Sequence, residues 1–145
     1  MARFVVSSIQ VQGTVQAHKA GQSNVQLSLD LNLSTVDCEL TEAGILLPDS
    51  SVLTWADIES ILKKPQACFT VTGGKPEQTL RFSQRFKRSV SLYPTTAAPT
   101  MLIAGFPMHR IKDTTPDKDT AAKIKAAGPL IGNVLDTATG LGYTA

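Results

Sequence analysis

The sequence contains few charged residues, few aromatic residues and no long apolar run. Charged residues make up 18% of the 145 positions and aromatic residues 6%, whereas hydrophobic residues make up 42%. This composition is typical of a folded globular domain and excludes a disordered polyelectrolyte. A chain of this length can bury a substantial core. Because no apolar run approaches the ~20 residues of a membrane-spanning helix, we expect no membrane partner.

Cysteine is scarce as well. Cys38 and Cys68 lie far apart, each within an apolar run, and neither belongs to a spacing typical of metal ligands. No cluster of histidines and acids supplies such a spacing either, so no metal is expected. We predict two buried thiols. Since no signal peptide opens the sequence, we expect a cytoplasmic protein.

Alternating apolar residues predict an antiparallel, β-rich N-terminal region. In the run 25–33 every second residue is apolar, and the same period continues over 36–40, which indicates a hairpin with one buried face. Gly73-Gly74 is typical of a tight hairpin turn within a meander that runs from 68 to 93. A further hairpin is predicted between 101–103 and 106–111.

Three segments carry helix signals. Residues 3–21 also alternate as a strand would, but serines near position 8 and the ending His18-Lys19-Ala20-Gly21 favour a strand at 3–6 and a helix over 8–20. Thr54 is a capping residue, and the helix that follows begins with Trp55, which we interpret as a core anchor. Pro116 suits the first position of a third helix, which Gly128-Pro129 ends.

An apolar run and a glycine-rich turn close the sequence. Residues 131–135 are typical of a buried strand, and Asp136 then opens the pattern Asp-x-Ala-x-Gly-x-Gly, which includes Gly140 and Gly142. Glycines there let the main chain turn sharply out of a strand and approach a ligand closely. Taken alone, the pattern fits an ordinary strand-to-helix turn equally well.

Residues 134–145 resemble the first motif of class I S-adenosylmethionine-dependent methyltransferases. Over a longer span, Ala98-Pro99-Thr100-Met101, Met108-His109-Arg110 and the glycine-rich turn resemble a group of predicted archaeal-type and cyanobacterial methyltransferases related to spermidine synthases. The resemblance implies S-adenosylmethionine as the cofactor and an α+β fold. It implies a β-rich domain at 1–111 and, at 112–145, the first helix and strand of a truncated Rossmann-like domain. We therefore expect these 145 residues alone to be inactive.

The resemblance also implies which residues bind the cofactor. Asp136, Gly140 and Gly142 match the glycine-rich motif, and Ala138 stands where the family usually has glycine or cysteine. His109 would line the cofactor or substrate cleft, or else be a structural, hydrogen-bonding histidine. The resemblance identifies neither the catalytic residues nor the methyl acceptor.

Polyamine chemistry is not expected. Spermidine synthases carry an acid and a glutamine in the hairpin that covers their cofactor, whereas this sequence has Ala104 and Met108 at those positions. Ala104 and Met108 are consistent with the methyltransferases of the group that the sequence resembles.

Two alternatives to an enzyme remain open. The first is a non-catalytic β-rich module for binding or oligomerisation, in which the unpaired strand 131–135 associates with a second copy. The second is RNA binding through Arg81, Arg85, Lys87 and Arg88. Because the net charge of +2 and the pI near 8.6 are modest, we do not expect nucleic acid as a partner.

Overall fold

The computed structural model describes residues 2–136 and 140–144, and this part of the chain is mostly β-sheet. Eleven strands form three antiparallel sheets, accompanied by three short helices. The elements, in chain order, are β1 (Arg3–Ser7), α1 (Ser8–Lys19), β2 (Asn24–Leu27), β3 (Val36–Leu40), β4 (Gly44–Leu46), β5 (Val52–Thr54), α2 (Trp55–Leu62), β6 (Cys68–Thr72), β7 (Lys75–Gln78), β8 (Leu80–Ser83), β9 (Arg88–Tyr93), β10 (Thr100–Ile103), β11 (Phe106–Pro107) and α3 (Pro116–Ala127).

Two of the sheets are meanders, in which strands pair in sequence order: β2 to β5, and β8 to β11. The remaining sheet has the order β1-β6-β7, with Val5 opposite Thr70. Thr79 joins that sheet to the β8–β11 sheet. Its N–H donates to the carbonyl of Cys68 (2.8 Å), and its own carbonyl accepts from Leu92 (3.3 Å). The predicted meander over 68–93 is therefore divided between two sheets.

Apolar side chains from the β1-β6-β7 and β2–β5 sheets, α1 and α2 form one core. Its fully buried members include Val6, Val11, Ile45, Leu53, Ile58 and Ile61. Trp55 packs against this core and donates its indole N–H to the carbonyl of Thr41 at 3.1 Å. His18 stacks on Trp55 with ring centroids 4.3 Å apart. The predictions of Trp55 as a core anchor and of two buried thiols are confirmed.

Side-chain caps fix where the first two helices begin. The Ser7 hydroxyl accepts the N–H of Ile9 at 3.2 Å, and Gln10 Oε1 accepts the N–H of Ser7 at 2.9 Å, which completes a capping box. The Thr54 hydroxyl accepts the N–H of Asp57 at 3.2 Å. These contacts confirm the predicted starts of both helices. The third helix begins at the predicted proline.

The predicted strand at 131–135 is wrong, and so is the expectation that a Rossmann-like domain begins there. Residues 128–136 form neither helix nor strand. Gly132, with φ of 80°, turns the chain in the middle of the apolar run, so the run cannot stay extended. Ile131 and Leu135 are consequently 85% and 84% exposed. The α+β description holds only in its coarse sense, as antiparallel sheets with separate helices.

The alternating run 25–33 is a strand only in part. β2 ends at Leu27 after pairing with β3 as predicted. The chain then bends, because Asp30 Oδ1 accepts the N–H groups of Leu33 and Ser34 at 3.0 and 2.9 Å. As a result Leu33 is exposed instead of joining the apolar face.

The segment beyond residue 111 packs against the neighbourhood of β10. Thr120 of α3 is buried, and Asp119 Oδ2 accepts the N–H of Arg110 at 3.3 Å. The division into domains at 1–111 and 112–145 stays a prediction.

Candidate functional site

His109 is held by a buried hydroxyl at the start of β10. Thr100 is fully buried; its Oγ1 accepts the N–H of His109 at 3.3 Å and lies 3.0 Å from His109 Nδ1. The N–H of Met108 donates to the carbonyl of Met101 at 2.9 Å, so the hairpin pairing continues up to the histidine. His109 is therefore hydrogen-bonded at the Nδ1 side of its ring, and its role at a cofactor cleft stays a prediction.

The ring of Tyr143 packs against the ring of His109. Its ring centroid lies 5.1 Å from that of His109, with the planes tilted by 43°, a usual geometry for an aromatic pair. Its hydroxyl donates to the carbonyl of Pro99 at 2.7 Å. Burial, followed by the negative charge of Asp117, raises the pKa of Tyr143 above its usual value of 10.0. The phenol is therefore neutral at pH 7 and is a hydrogen-bond donor.

A cavity of about 340 Å³ lies beside these two rings. It is lined by Met108, His109, Thr120, Lys123, Asp136, Tyr143 and Thr144. The Thr144 hydroxyl donates to the carboxylate of Asp136. Lys123 Nζ lies 2.6 Å from Asp119 Oδ2, and this hydrogen bond lowers the pKa of Asp119. The cavity thus combines a carboxylate, a cation and aromatic surface.

The structure brings two of the predicted cofactor residues together. His109 and Asp136 line the same cavity although α3 separates them in the sequence. Gly140 and Gly142 both have positive φ, 56° and 80°. A Cβ on Gly142 would meet nothing within 4 Å, so this position favours glycine for its backbone conformation and not for a close contact. Ala138 lies outside the described residues.

Sequence reasoning missed several residues of this site. It assigned no role to Thr100, Tyr143, Thr120 or Lys123, which hold the histidine or line the cavity. Thr120 and Lys123 lie one helical turn apart, a spacing that indicates a shared face of α3. No local signal marks Thr100 or Tyr143, because both act through partners that are distant in the sequence.

A second cavity, of about 480 Å³, lies on another side of Tyr143. Its lining is largely apolar and includes Leu31, Leu92 and Pro99, together with Asp30. Burial tends to raise the pKa of Asp30, but hydrogen bonds, chiefly from Ser34, outweigh it and lower the pKa. Asp30 therefore acts as the acceptor that organises the bend after β2.

The residues described contain no metal-type cluster of three or more histidine, cysteine or acidic side chains. None of the helices in the same ranges is long and apolar enough to cross a membrane.

Comparison with known proteins adds one partial likeness. No family model matches the chain. Over 51 residues, 34% of its length, the chain is 51% identical to the uncharacterized protein MJ1233 of Methanocaldococcus jannaschii. The match covers 18% of that protein, so the chain spans less than a fifth of the length of this curated relative.

Proposed function

We propose that the chain is part of an S-adenosylmethionine-dependent methyltransferase and that the cavity at His109 and Asp136 receives the methionine end of the cofactor. One observation supports this function. Of the three segments on which the methyltransferase resemblance rests, two, namely 108–110 and the glycine-rich turn that begins at Asp136, contribute to the lining of one cavity. They lie on either side of α3 in the sequence, so their proximity is a product of the fold.

The lining residues suit the methionine part of the cofactor. Its sulfonium and amino groups are cationic, and Asp136 provides the opposite charge. Met108 and Tyr143 provide apolar surface, and Lys123, which is paired with Asp119, lines the same cavity. A volume of about 340 Å³ is near the lower end of ligand pockets, which span roughly 300–1,000 Å³, so it suits part of the cofactor better than the whole.

The bound cofactor would supply an electrophilic methyl group for in-line transfer, and the protein would contribute orientation. Thr100 holds the ring of His109, and the carbonyl of Pro99 holds the hydroxyl of Tyr143. Both rings are therefore fixed before a ligand arrives. We propose that the 145 residues alone bind the cofactor without transferring its methyl group.

Equilibrium dialysis with labelled S-adenosylmethionine tests this function. We expect measurable binding to the 145-residue chain and a loss of about tenfold or more in Asp136→Asn, because a hydrogen bond to a charged group contributes about 1.5–3 kcal/mol. Asp113→Asn is the matched control, since Asp113 lies in the exposed segment before α3. Equal affinities of the two variants, or no binding at millimolar cofactor, would contradict the proposal.

A second candidate function is self-association. Four exposed apolar side chains follow α3 closely: Leu130, Ile131, Val134 and Leu135. Exposed apolar patches of this kind mark interaction sites. Light scattering should show a dimer or larger species that the double variant Ile131→Asn/Leu135→Asn converts to monomer. Leu33→Asn, which alters an exposed leucine elsewhere in the chain, should not change the mass, and a wild-type monomer would exclude this candidate.

A cytoplasmic location belongs to the same proposal. Cys38 and Cys68 are both free and buried. Free thiols are the state that a reducing compartment maintains, and S-adenosylmethionine chemistry is compatible with it. Localisation of a tagged chain in its source cells tests this assignment.

A further inference from the structure

Positive charge is concentrated in one stretch of the sequence. Between Gln78 and Lys112 there is no acidic residue, whereas the same stretch contains Arg81, Arg85, Lys87, Arg88, Arg110 and Lys112. Since the whole chain carries only +2, the rest of it is net acidic. The modest net charge therefore conceals a strongly cationic region, and this region coincides with the β8–β11 sheet.

The pairing register places cations and an aromatic ring on one face of this sheet. Arg81 lies opposite Val90, Val90 opposite Ile103, and Ile103 opposite Phe106, so these four residues form one cross-strand row. Arg88 lies two residues before Val90 in β9 and shares the face. We call these five residues the basic face.

The basic face is open to solvent. Phe106 is 78% exposed, and the side chain of Arg81 is 77% exposed and meets Glu77 only at 3.4 Å. The turn between β8 and β9 adds Arg85 and Lys87. Among residues 2–136 and 140–144, these two cations and Arg88 have no carboxylate within 4 Å. Of these four cations, Arg81 alone is therefore paired with an acid among the described residues, and that pair is exposed.

We infer that the basic face binds single-stranded nucleic acid. Such surfaces combine cations that track the phosphates with exposed aromatic rings on which bases stack, and this face presents both within one row. Duplex bases are already stacked on one another, so the exposed Phe106 ring favours a single strand. The inference does not depend on the methyltransferase proposal, because no residue of the basic face lines the His109–Asp136 cavity.

The charge component is tested by the salt dependence of binding. Fluorescence anisotropy with labelled oligouridylate and oligothymidylate of about 20 nucleotides gives affinities of the 145-residue chain. Each phosphate contact contributes about −0.7 to the slope of log affinity against log salt. Arg81→Gln/Arg88→Gln should therefore reduce the slope by about 1.4. Lys63→Gln/Lys64→Gln removes the same charge from exposed positions after α2 and should leave the slope unchanged.

The stacking component has its own matched pair of variants. Phe106→Ala should weaken binding roughly fivefold or more, the lower end of base–aromatic stacking. Phe82→Ala should have little effect. Phe82 is also exposed, at 57%, but it lies opposite Ser89 and therefore on the other face of the sheet. Circular dichroism of each variant confirms that the sheet is intact.

Three results would overturn the inference. Binding that is independent of salt would remove its charge component, and equal losses in Phe106→Ala and Phe82→Ala would remove its stacking component. Competition by polyglutamate or by anionic phosphatidylserine vesicles as effective as that by the oligonucleotide would assign the face to another polyanion. Equally tight binding of a duplex of the same length would overturn the preference for single strands.

Discussion

The Gly74→Ala variant should unfold at a much lower denaturant concentration than the Gly21→Ala variant. The two glycines have almost the same φ, 76° and 75°, so the strain of placing an L-residue in the left-handed region is common to both. That strain amounts to roughly 1–2 kcal/mol. What differs is the surroundings: a Cβ on Gly74 would lie 2.2 Å from the carbonyl oxygen of Val52, whereas one on Gly21 would meet nothing within 4 Å.

The extra cost at Gly74 comes from backbone that cannot move freely. Val52 is the first residue of β5, and β5 is paired with β4, so relieving the clash shifts the hairpin or the neighbouring sheet. Overpacking of this kind costs about 1–3 kcal/mol. In both variants alanine restricts the unfolded chain, which offsets about 0.4–1 kcal/mol of the loss in the free energy of unfolding. We therefore expect Gly21→Ala to lose about 1 kcal/mol or less and Gly74→Ala to lose about 2 kcal/mol more.

Urea denaturation followed by tryptophan fluorescence measures this difference. Trp55 is the single tryptophan and packs against the core, so it reports on global unfolding. With a denaturant dependence of about 1–3 kcal/mol/M, the midpoints of the two variants should differ by roughly 1 M. Midpoints within experimental error of each other would refute the argument from the Val52 contact.

Three further predictions concern single side chains. Ser7→Ala should lower the free energy of unfolding by about 1 kcal/mol in urea denaturation, because it removes the cap of α1. Thr100→Val should cost about 1–3 kcal/mol, because it removes a buried partner of two His109 groups; an unchanged urea midpoint would contradict this. Burial raises the pKa of Cys68 to about 12, so the unfolded chain ionises first. Stability should be intact below about pH 9 and fall as the pH rises towards 12. The urea midpoints of Cys68→Val should fall less, because only the raised pKa values of Cys38 and Tyr143 then contribute.

The elements that sequence patterns predicted well are those whose determinants are local. The serine cap of α1 and the Gly73-Gly74 turn each depend on residues close together in the sequence, and the structure contains both. In the run 25–33 the alternation predicts a strand over the whole run, but the strand ends at Leu27, because Asp30 accepts hydrogen bonds that bend the chain. In the run 131–135 the apolar content predicts a strand, but the structure has none, because Gly132 turns the chain.

Only the site residues that belong to a motif could be predicted from the sequence. His109 and Asp136 were predicted from the family resemblance, and the structure places both at one cavity. The groups that hold this site in place, Thr100 for His109 and Pro99 for Tyr143, act across gaps in the sequence that the fold alone closes. No periodicity or spacing encodes such contacts, so residues of this kind are found only from coordinates.

The two proposals rest on different surfaces, which makes them separable. The β8–β11 sheet supports the His109–Asp136 cavity only through Thr100 of β10, which holds His109, and no residue of the basic face lines that cavity. Asp136→Asn should therefore weaken S-adenosylmethionine binding and leave oligonucleotide binding unchanged. Arg81→Gln/Arg88→Gln should do the reverse. A single variant that lost both activities would indicate that the shared sheet had unfolded, and its urea midpoint would show this directly.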